Sequence, residues 1–158
     1  MGTRLGAFNV RGAQLVRQDF IEREVEAERL DDGGRSKVLV RIAGVLPYTA
    51  LKILSFQDRH DNKDAYDLVF TLLNWEGGPR AAGAAARSSP VAGHHQVAEA
   101  LKLLAERFET FENDGPSAYA AFLVGPTVSG ERARLDREAV ATVREFLSGF
   151  RQDGASIA

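Results

Sequence analysis

The chain has 158 residues, 44% of them hydrophobic and 27% charged, which fits one globular domain with a buried core. Its net charge of −2 excludes a globally basic nucleic-acid-binding surface, and the lack of cysteine excludes disulfides, thiolate catalysis and cysteine-bound zinc. The sequence shows neither a signal-peptide pattern nor an apolar run of membrane-spanning length. We therefore expect a soluble protein of the cytoplasm that does not interact with membranes.

The first predicted element is a β-hairpin between residues 20 and 43. Glutamates at positions 22, 24, 26 and 28 alternate with other residues, and this period of two places them on one face of a strand. Gly33 and Gly34 suit a tight turn, and residues 37–42 return as a β-branched strand with Lys37 and Arg41 on one face. Glutamates opposite basic residues are typical of a solvated sheet face.

After Pro47 the pattern becomes helical. One helix is predicted from Pro47 to about Arg59 and a second from about Lys63 to Asn74. Residues 76–93 are rich in Gly, Ala, Ser and Pro, which predicts a flexible loop or a short, unstable helix. His94 and His95 follow this segment, and we interpret them as surface residues.

Three further helices are predicted, over residues 96–113, 117–124 and 136–150. The first of them carries an apolar stripe that we expect in the core, made of Val97, Leu101, Leu104, Phe108 and Phe111. Together these elements predict an α+β fold in which a small β-hairpin, or partial mixed sheet, precedes an α-helical bundle. We divide the chain into a sheet segment (1–46), a charged helical pair (47–75), a loop (76–93) and a C-terminal helical region (94–158), all in one compact domain.

A cluster of charged residues lies within the helical pair. It consists of Lys52, Arg59, Lys63, Asp64 and Asp67. Lys52 and Arg59 are seven residues apart and share one helix face, while the two aspartates occupy adjacent turns of the next helix. Asp61 or Asn62 can cap that helix, and Asp64 then complements its dipole. Charged groups beside apolar faces form either a structural ion-pair network or one wall of an active site.

This pattern, K-x6-R-x3-KD-x2-DL, resembles the second half of the abortive-infection (AbiE-type) nucleotidyltransferase toxins of the polymerase-β-like superfamily. The resemblance spans residues 5–79 and implies an incomplete nucleotidyltransferase fold, of which only the C-terminal portion is present. It implies active-site roles for Lys52, Asp64 and Asp67. It also implies that Lys52, with Arg59 and Lys63, contacts the nucleotide, since cations neutralise triphosphate charge.

The resemblance also implies partners and a metal. These are a nucleoside triphosphate, an RNA acceptor such as the 3′ end of a transfer RNA, an antitoxin or separate N-terminal-lobe polypeptide, and Mg²⁺ held by carboxylates. The Gly-Ser and Asp-x-Asp residues that hold this metal in the family have no counterpart in the chain. Glu24-x-Glu26 and Glu26-x-Glu28 are the nearest alternations, and one of them could stand in for a third carboxylate.

Two functions follow from these observations. The first is a truncated, toxin-type nucleotidyltransferase that binds a nucleotide, with Mg²⁺ only if the N-terminal lobe is supplied, and is inactive alone. The alternative is a non-catalytic protein-interaction module that neutralises a full-length relative or acts as its decoy.

Overall fold

The computed structural model describes residues 10–125 and 130–151, and this part of the chain forms two strands followed by a helical bundle. The elements are α1 (Ala13–Val16), β1 (Phe20–Glu28), β2 (Arg35–Ala43), α2 (Val45–Arg59), α3 (Asn62–Leu73), α4 (Gly78–Arg87), α5 (His95–Arg107), α6 (Asp114–Val124) and α7 (Gly130–Arg151). The predicted α+β class is confirmed. Residues 1–9 of the predicted sheet segment and 152–158 of the C-terminal region lie outside the described residues.

The hairpin forms as the alternation of charged and apolar residues predicts. β1 and β2 are antiparallel, and Gly33 takes a positive φ of 68° in the turn between them. The predicted charge pairing is present, because glutamate oxygens lie 2.7–3.2 Å from basic side-chain nitrogens across the strands: Glu22–Arg41, Glu24–Lys37 and Glu26–Arg35. Within the described residues the sheet contains these two strands alone, so the described sheet is antiparallel rather than mixed.

The core of the protein lies among the helices. α2 packs against α3, α4 and α5, and α7 packs against α4 and α6. Large side chains with 0–1% exposure fill the space between these helices: Leu46, Ile53, Leu54, Leu68, Val69, Leu72, Val97, Leu104, Val143 and Phe146. Burial of these side chains supplies most of the driving force for folding. None of the helices in the described ranges is both long and apolar enough to cross a bilayer.

Two alternatives were predicted for residues 76–93, a flexible loop and a short helix; for ten of these residues the loop is wrong and the structure shows a helix. Gly78–Arg87 form α4, with Pro79 in the first turn and the methyl groups of Ala82 and Ala86 fully buried. Alanine has the highest helix propensity and proline suits a first turn, so the local sequence supports this helix. Gly83, in the middle of this helix, allows close packing against α7, because a Cβ there would overlap the carbonyl oxygen of Phe146.

The helix predicted over residues 96–113 ends early, at Arg107. Asn113 explains the early end: its Oδ1 accepts hydrogen bonds from the backbone N–H and hydroxyl of Thr110, and its Nδ2 donates to the carbonyl of Glu106. Such local side-chain bonds compete with continued helix formation. Phe111, expected in the core, is consequently 56% exposed, whereas Phe108 remains buried.

Close packing of α4 against α7 predicts that Gly83→Ala destabilises the protein. In a helix interior this change normally gains about 1 kcal/mol from helix propensity, so a loss would have to come from the overlap with Phe146. We expect the free energy of unfolding to fall by about 3 kcal/mol, measured by urea denaturation. Gly93→Ala is the control, because a Cβ there meets nothing within 4 Å. Equal stability of the two variants would contradict the close packing.

Candidate functional site

The predicted charged cluster lies where α2 passes into α3. α2 ends at Arg59, and the residue that follows it, His60, adopts a left-handed conformation with φ 52°. Asp61 caps α3 by accepting a hydrogen bond from the backbone N–H of Lys63 at 3.0 Å. The connection is therefore only two residues long. This sharp turn places the face of α2 that carries Lys52 and Arg59 against the first two turns of α3.

Asp64 is the centre of the cluster and is only 1% exposed. Arg59 binds it with two hydrogen bonds, from Nε to Oδ2 at 2.7 Å and from Nη2 to Oδ1 at 2.9 Å. Lys52 Nζ donates to Oδ1 at 3.2 Å. Both carboxylate oxygens therefore have cationic donors, as a buried carboxylate requires. The two-point geometry of the guanidinium fixes the orientation of the carboxylate as well as its charge.

Asp67 extends the cluster toward the surface. Its Oδ2 accepts hydrogen bonds from Lys52 Nζ at 2.6 Å and from Lys63 Nζ at 2.7 Å. Lys52 thus bridges the two aspartates, and its Nζ also lies 5.7 Å from the centre of the Tyr48 ring. All five predicted site residues are brought together. The predicted shared face of Lys52 and Arg59 and the predicted Lys63–Asp67 pair are confirmed.

Opposing effects set the pKa values of these groups. Burial acts to raise the pKa of Asp64, but hydrogen bonds from Arg59 and Lys52 outweigh it and leave this pKa below its ordinary value. Burial is likewise outweighed at Asp67, where bonds from Lys52 and Lys63 lower the pKa. At Lys52 burial acts to lower the pKa, yet the two aspartates raise it. All three groups are therefore charged at neutral pH.

The cluster contains three cations and two carboxylates and so carries one excess positive charge. Its exposed members are the two outer cations, with side chains 60% exposed at Arg59 and 59% exposed at Lys63. The observed bonds use Nε and Nη2 of Arg59 and one of the three protons on Lys63 Nζ. Donors on both side chains therefore remain for an anion at the surface.

The other candidate carboxylates lie apart from this cluster. Glu24 and Glu26 are on the exposed hairpin, where they pair with Lys37 and Arg35. In the described part of the chain no three His, Asp or Glu side chains are grouped so as to hold a metal ion. Asp64 and Asp67 are each bound by two cations, so these residues do not fit a Mg²⁺ site on their own.

Sequence reasoning missed two contributors to this region. Tyr48 is one turn before Lys52 on the same helix face, and that spacing was a usable signal. Arg11 bonds to Asp58 and to Glu99, tying the N-terminal segment to α2 and α5 across large sequence separations. No local pattern indicates a contact of that kind. Of the two histidines expected at the surface, His95 is exposed and His94 is half-buried. Their rings stack on each other, and His94 Nδ1 caps α5 by accepting a hydrogen bond from the backbone N–H of Gln96.

Comparisons with protein-family models, with curated proteins and with solved structures found no match to this chain.

The burial of Asp64 predicts a large effect of Asp64→Asn on stability. This change keeps the side-chain volume but removes the charge that neutralises Lys52 and Arg59. We expect the free energy of unfolding to fall by about 3 kcal/mol. Asp58→Asn is the matched control, because Asp58 also accepts a bond from an arginine but is 46% exposed, so its loss should cost about 0–1 kcal/mol. Urea denaturation of both variants measures the difference; equal losses would refute the structural role.

The lowered pKa values of Asp64 and Asp67 predict a defined acid sensitivity. Unfolded aspartate has a pKa of about 3.9, so the unfolded chain binds protons at a higher pH than the folded chain. The stabilisation is complete above that value and is lost as pH falls through the folded pKa values. Below about pH 4 the double variant Asp64→Asn/Asp67→Asn should lose less stability per pH unit than the wild type. Parallel curves from thermal melts between pH 2 and pH 6 would count against this.

Proposed function

We propose that this chain is a nucleotidyltransferase-like protein of the abortive-infection toxin type, which binds the phosphates of a nucleoside triphosphate at the α2–α3 cluster. The observation that carries the proposal is the convergence of Lys52, Arg59 and Lys63 on two carboxylates, with one positive charge in excess and free donors on the exposed cations. The resemblance of the K-x6-R-x3-KD-x2-DL pattern to these toxins supports the same assignment.

Each member of the cluster has a distinct physical role in this proposal. Arg59 and Lys63 would contact phosphate oxygens at the surface, where their remaining donors lie. Lys52 would add positive charge beneath them. Asp64 and Asp67 would act as positioning residues that hold Lys52 and Arg59 in place before the ligand arrives. Such preorganisation lowers the entropic cost of binding long, flexible cations to an anion.

The proposal does not extend to nucleotide transfer by this chain alone. Transfer in this superfamily runs on Mg²⁺ held by carboxylates, and the aspartates of the cluster are already bound by cations. The carboxylates for that step would come from a separate N-terminal-lobe polypeptide, and the acceptor would be an RNA end. We place the protein in the cytoplasm as a member of a toxin–antitoxin system, with an antitoxin as a further partner.

The second candidate function is a non-catalytic protein-interaction module, a neutraliser or decoy of a full-length nucleotidyltransferase. The observation that favours it is that the charges of the cluster largely satisfy one another. An ion-pair network of this kind can orient two helices without binding any ligand. Nucleotide binding separates the two functions.

We expect Lys63→Ala to weaken triphosphate binding by about 10-fold, which corresponds to about 1.4 kcal/mol for one charge-assisted contact. Lys102→Ala is the matched control, because Lys102 is also an exposed lysine paired with a carboxylate four residues later, Glu106. Isothermal titration calorimetry with ATP, GTP, CTP and UTP measures the affinities. Both variants should melt at the wild-type temperature, since each loses only a surface pair.

The absence of triphosphate binding by the folded wild-type protein at millimolar concentration would refute the nucleotide site and favour the interaction module. Equal weakening by Lys63→Ala and Lys102→Ala would show non-specific attraction to positive charge and would also refute it.

A further inference from the structure

The β1–β2 hairpin is exposed on both faces, which distinguishes it from every other described element of regular structure in the chain. One face carries the glutamates and the basic residues of β2, together with Leu39. The other face carries Arg23 and an apolar row of Ile21, Val25, Val38, Val40 and Ile42, each between 38% and 51% exposed. A two-stranded hairpin is at best marginally stable in water without a third strand or a packed helix. Exposed apolar rows of this kind mark interaction surfaces.

The hydrogen-bond pattern shows which backbone groups point to the free edges. Arg29 N–H donates to the carbonyl of Gly34, and Gly44 N–H donates to the carbonyl of Asp19. The backbone groups at these positions therefore point inward, toward the other strand of the hairpin. Antiparallel strands alternate between inward and outward positions. The outward backbone groups of β1 therefore belong to Glu22, Glu24, Glu26 and Glu28. Those of β2 belong to Arg35, Lys37, Leu39 and Arg41.

This alternation disfavours symmetric pairing of two copies. In any antiparallel pairing of β1 with the β1 of a second copy, outward positions face outward positions, so glutamate is set opposite glutamate. Pairing of β2 with β2 sets arginine and lysine opposite one another in the same way. Like charges directly opposite each other destabilise a sheet. Pairing of β1 with β2 of another copy matches charges but is head-to-tail, so it adds copies without limit unless the rotation between them closes a ring.

We propose that the β1 edge is a strand-addition site for a separate partner protein whose strand alternates basic and apolar residues. A basic side chain opposite Glu22, Glu24 or Glu26 would place that glutamate between two cations, one from the partner and one from β2, and a basic side chain opposite Glu28 would supply its cation. Within the described residues Glu28 has no ion-pair partner, whereas Glu22, Glu24 and Glu26 each have one. The charged face also holds four glutamates against three basic residues, which favours a basic partner over an acidic one.

The apolar residues of the added strand would extend the apolar row of the hairpin. They would lie beside Ile21, Arg23 and Val25 of β1, on the face from which five of the six exposed large apolar side chains of the two strands project; the sixth, Leu39, is on the charged face. A third strand with an apolar face is the arrangement that stabilises an otherwise marginal hairpin. The four glutamates would repel the phosphates of a nucleic acid at this edge, so the partner is a polypeptide. This site is separate from the α2–α3 cluster and does not depend on nucleotide binding.

The test uses two fluorescein-labelled peptides as long as β1, nine residues. One alternates lysine with valine and the other alternates glutamate with valine. Fluorescence anisotropy with the full chain should give at least 10-fold tighter binding of the lysine peptide. Hydrogen exchange should show new protection at the amides of Glu22, Glu24 and Glu26. Equal affinities, no binding of the lysine peptide, or protection confined to β2 would each overturn the proposal.

Charge reversal supplies the matched variant. Glu24→Lys/Glu26→Lys should invert the preference between the two peptides, and Glu24→Gln/Glu26→Gln should abolish it. Lys63→Ala should bind both peptides as the wild type does, which separates this result from the nucleotide site. If charge reversal unfolds the hairpin, the affinities of the two peptides for the wild-type protein still test the proposal. Sedimentation of the wild type as a closed dimer that buries β1 would also overturn the proposal.

Discussion

The neutralisation of Asp64 is the constraint on which the α2–α3 corner depends. A carboxylate at 1% exposure is costly unless its charge is matched, and both matching cations come from α2. Lys52 and Arg59 are seven residues apart on one face of α2. Both reach Asp64 only if that face lies against the start of α3. The left-handed His60 and the Asp61 cap provide that turn. The ion pairs therefore specify how the two helices meet, while the apolar side chains beneath supply most of the free energy.

The same pairing of acidic and basic residues has different consequences on the hairpin. There the cross-strand pairs are exposed, and each contributes at most about 1 kcal/mol. In the strand-addition proposal, their role is to select which strand can be added at an edge. At the α2–α3 corner the pairs are buried at one end and exposed at the other, so the same groups can orient helices and still present Arg59 and Lys63 to an anion.

Much of the fold could be predicted because local patterns determined it. The alternating glutamates indicated a charged strand face, and the spacing of Lys52 and Arg59 indicated a shared helix face; both were confirmed. α4 was predicted only as the alternative to a flexible loop, because residues 76–93 are rich in Gly, Ser and Pro, whereas the structure uses Gly83 for contact with α7. Phe111 was misplaced because its apolar spacing continues past the point where Asn113 ends the helix.

The sequence by itself determined the α+β class, the hairpin, the charged residues of the candidate site and the helix faces that carry them, because these follow from periodicities of two and 3.6 residues. Only the tertiary structure decided that Asp64 is buried, that Lys52 bridges two aspartates and that both faces of the hairpin are exposed. Burial and contacts between elements depend on how helices pack across long sequence separations. A local pattern specifies which side of an element is apolar, but it does not specify what covers that side.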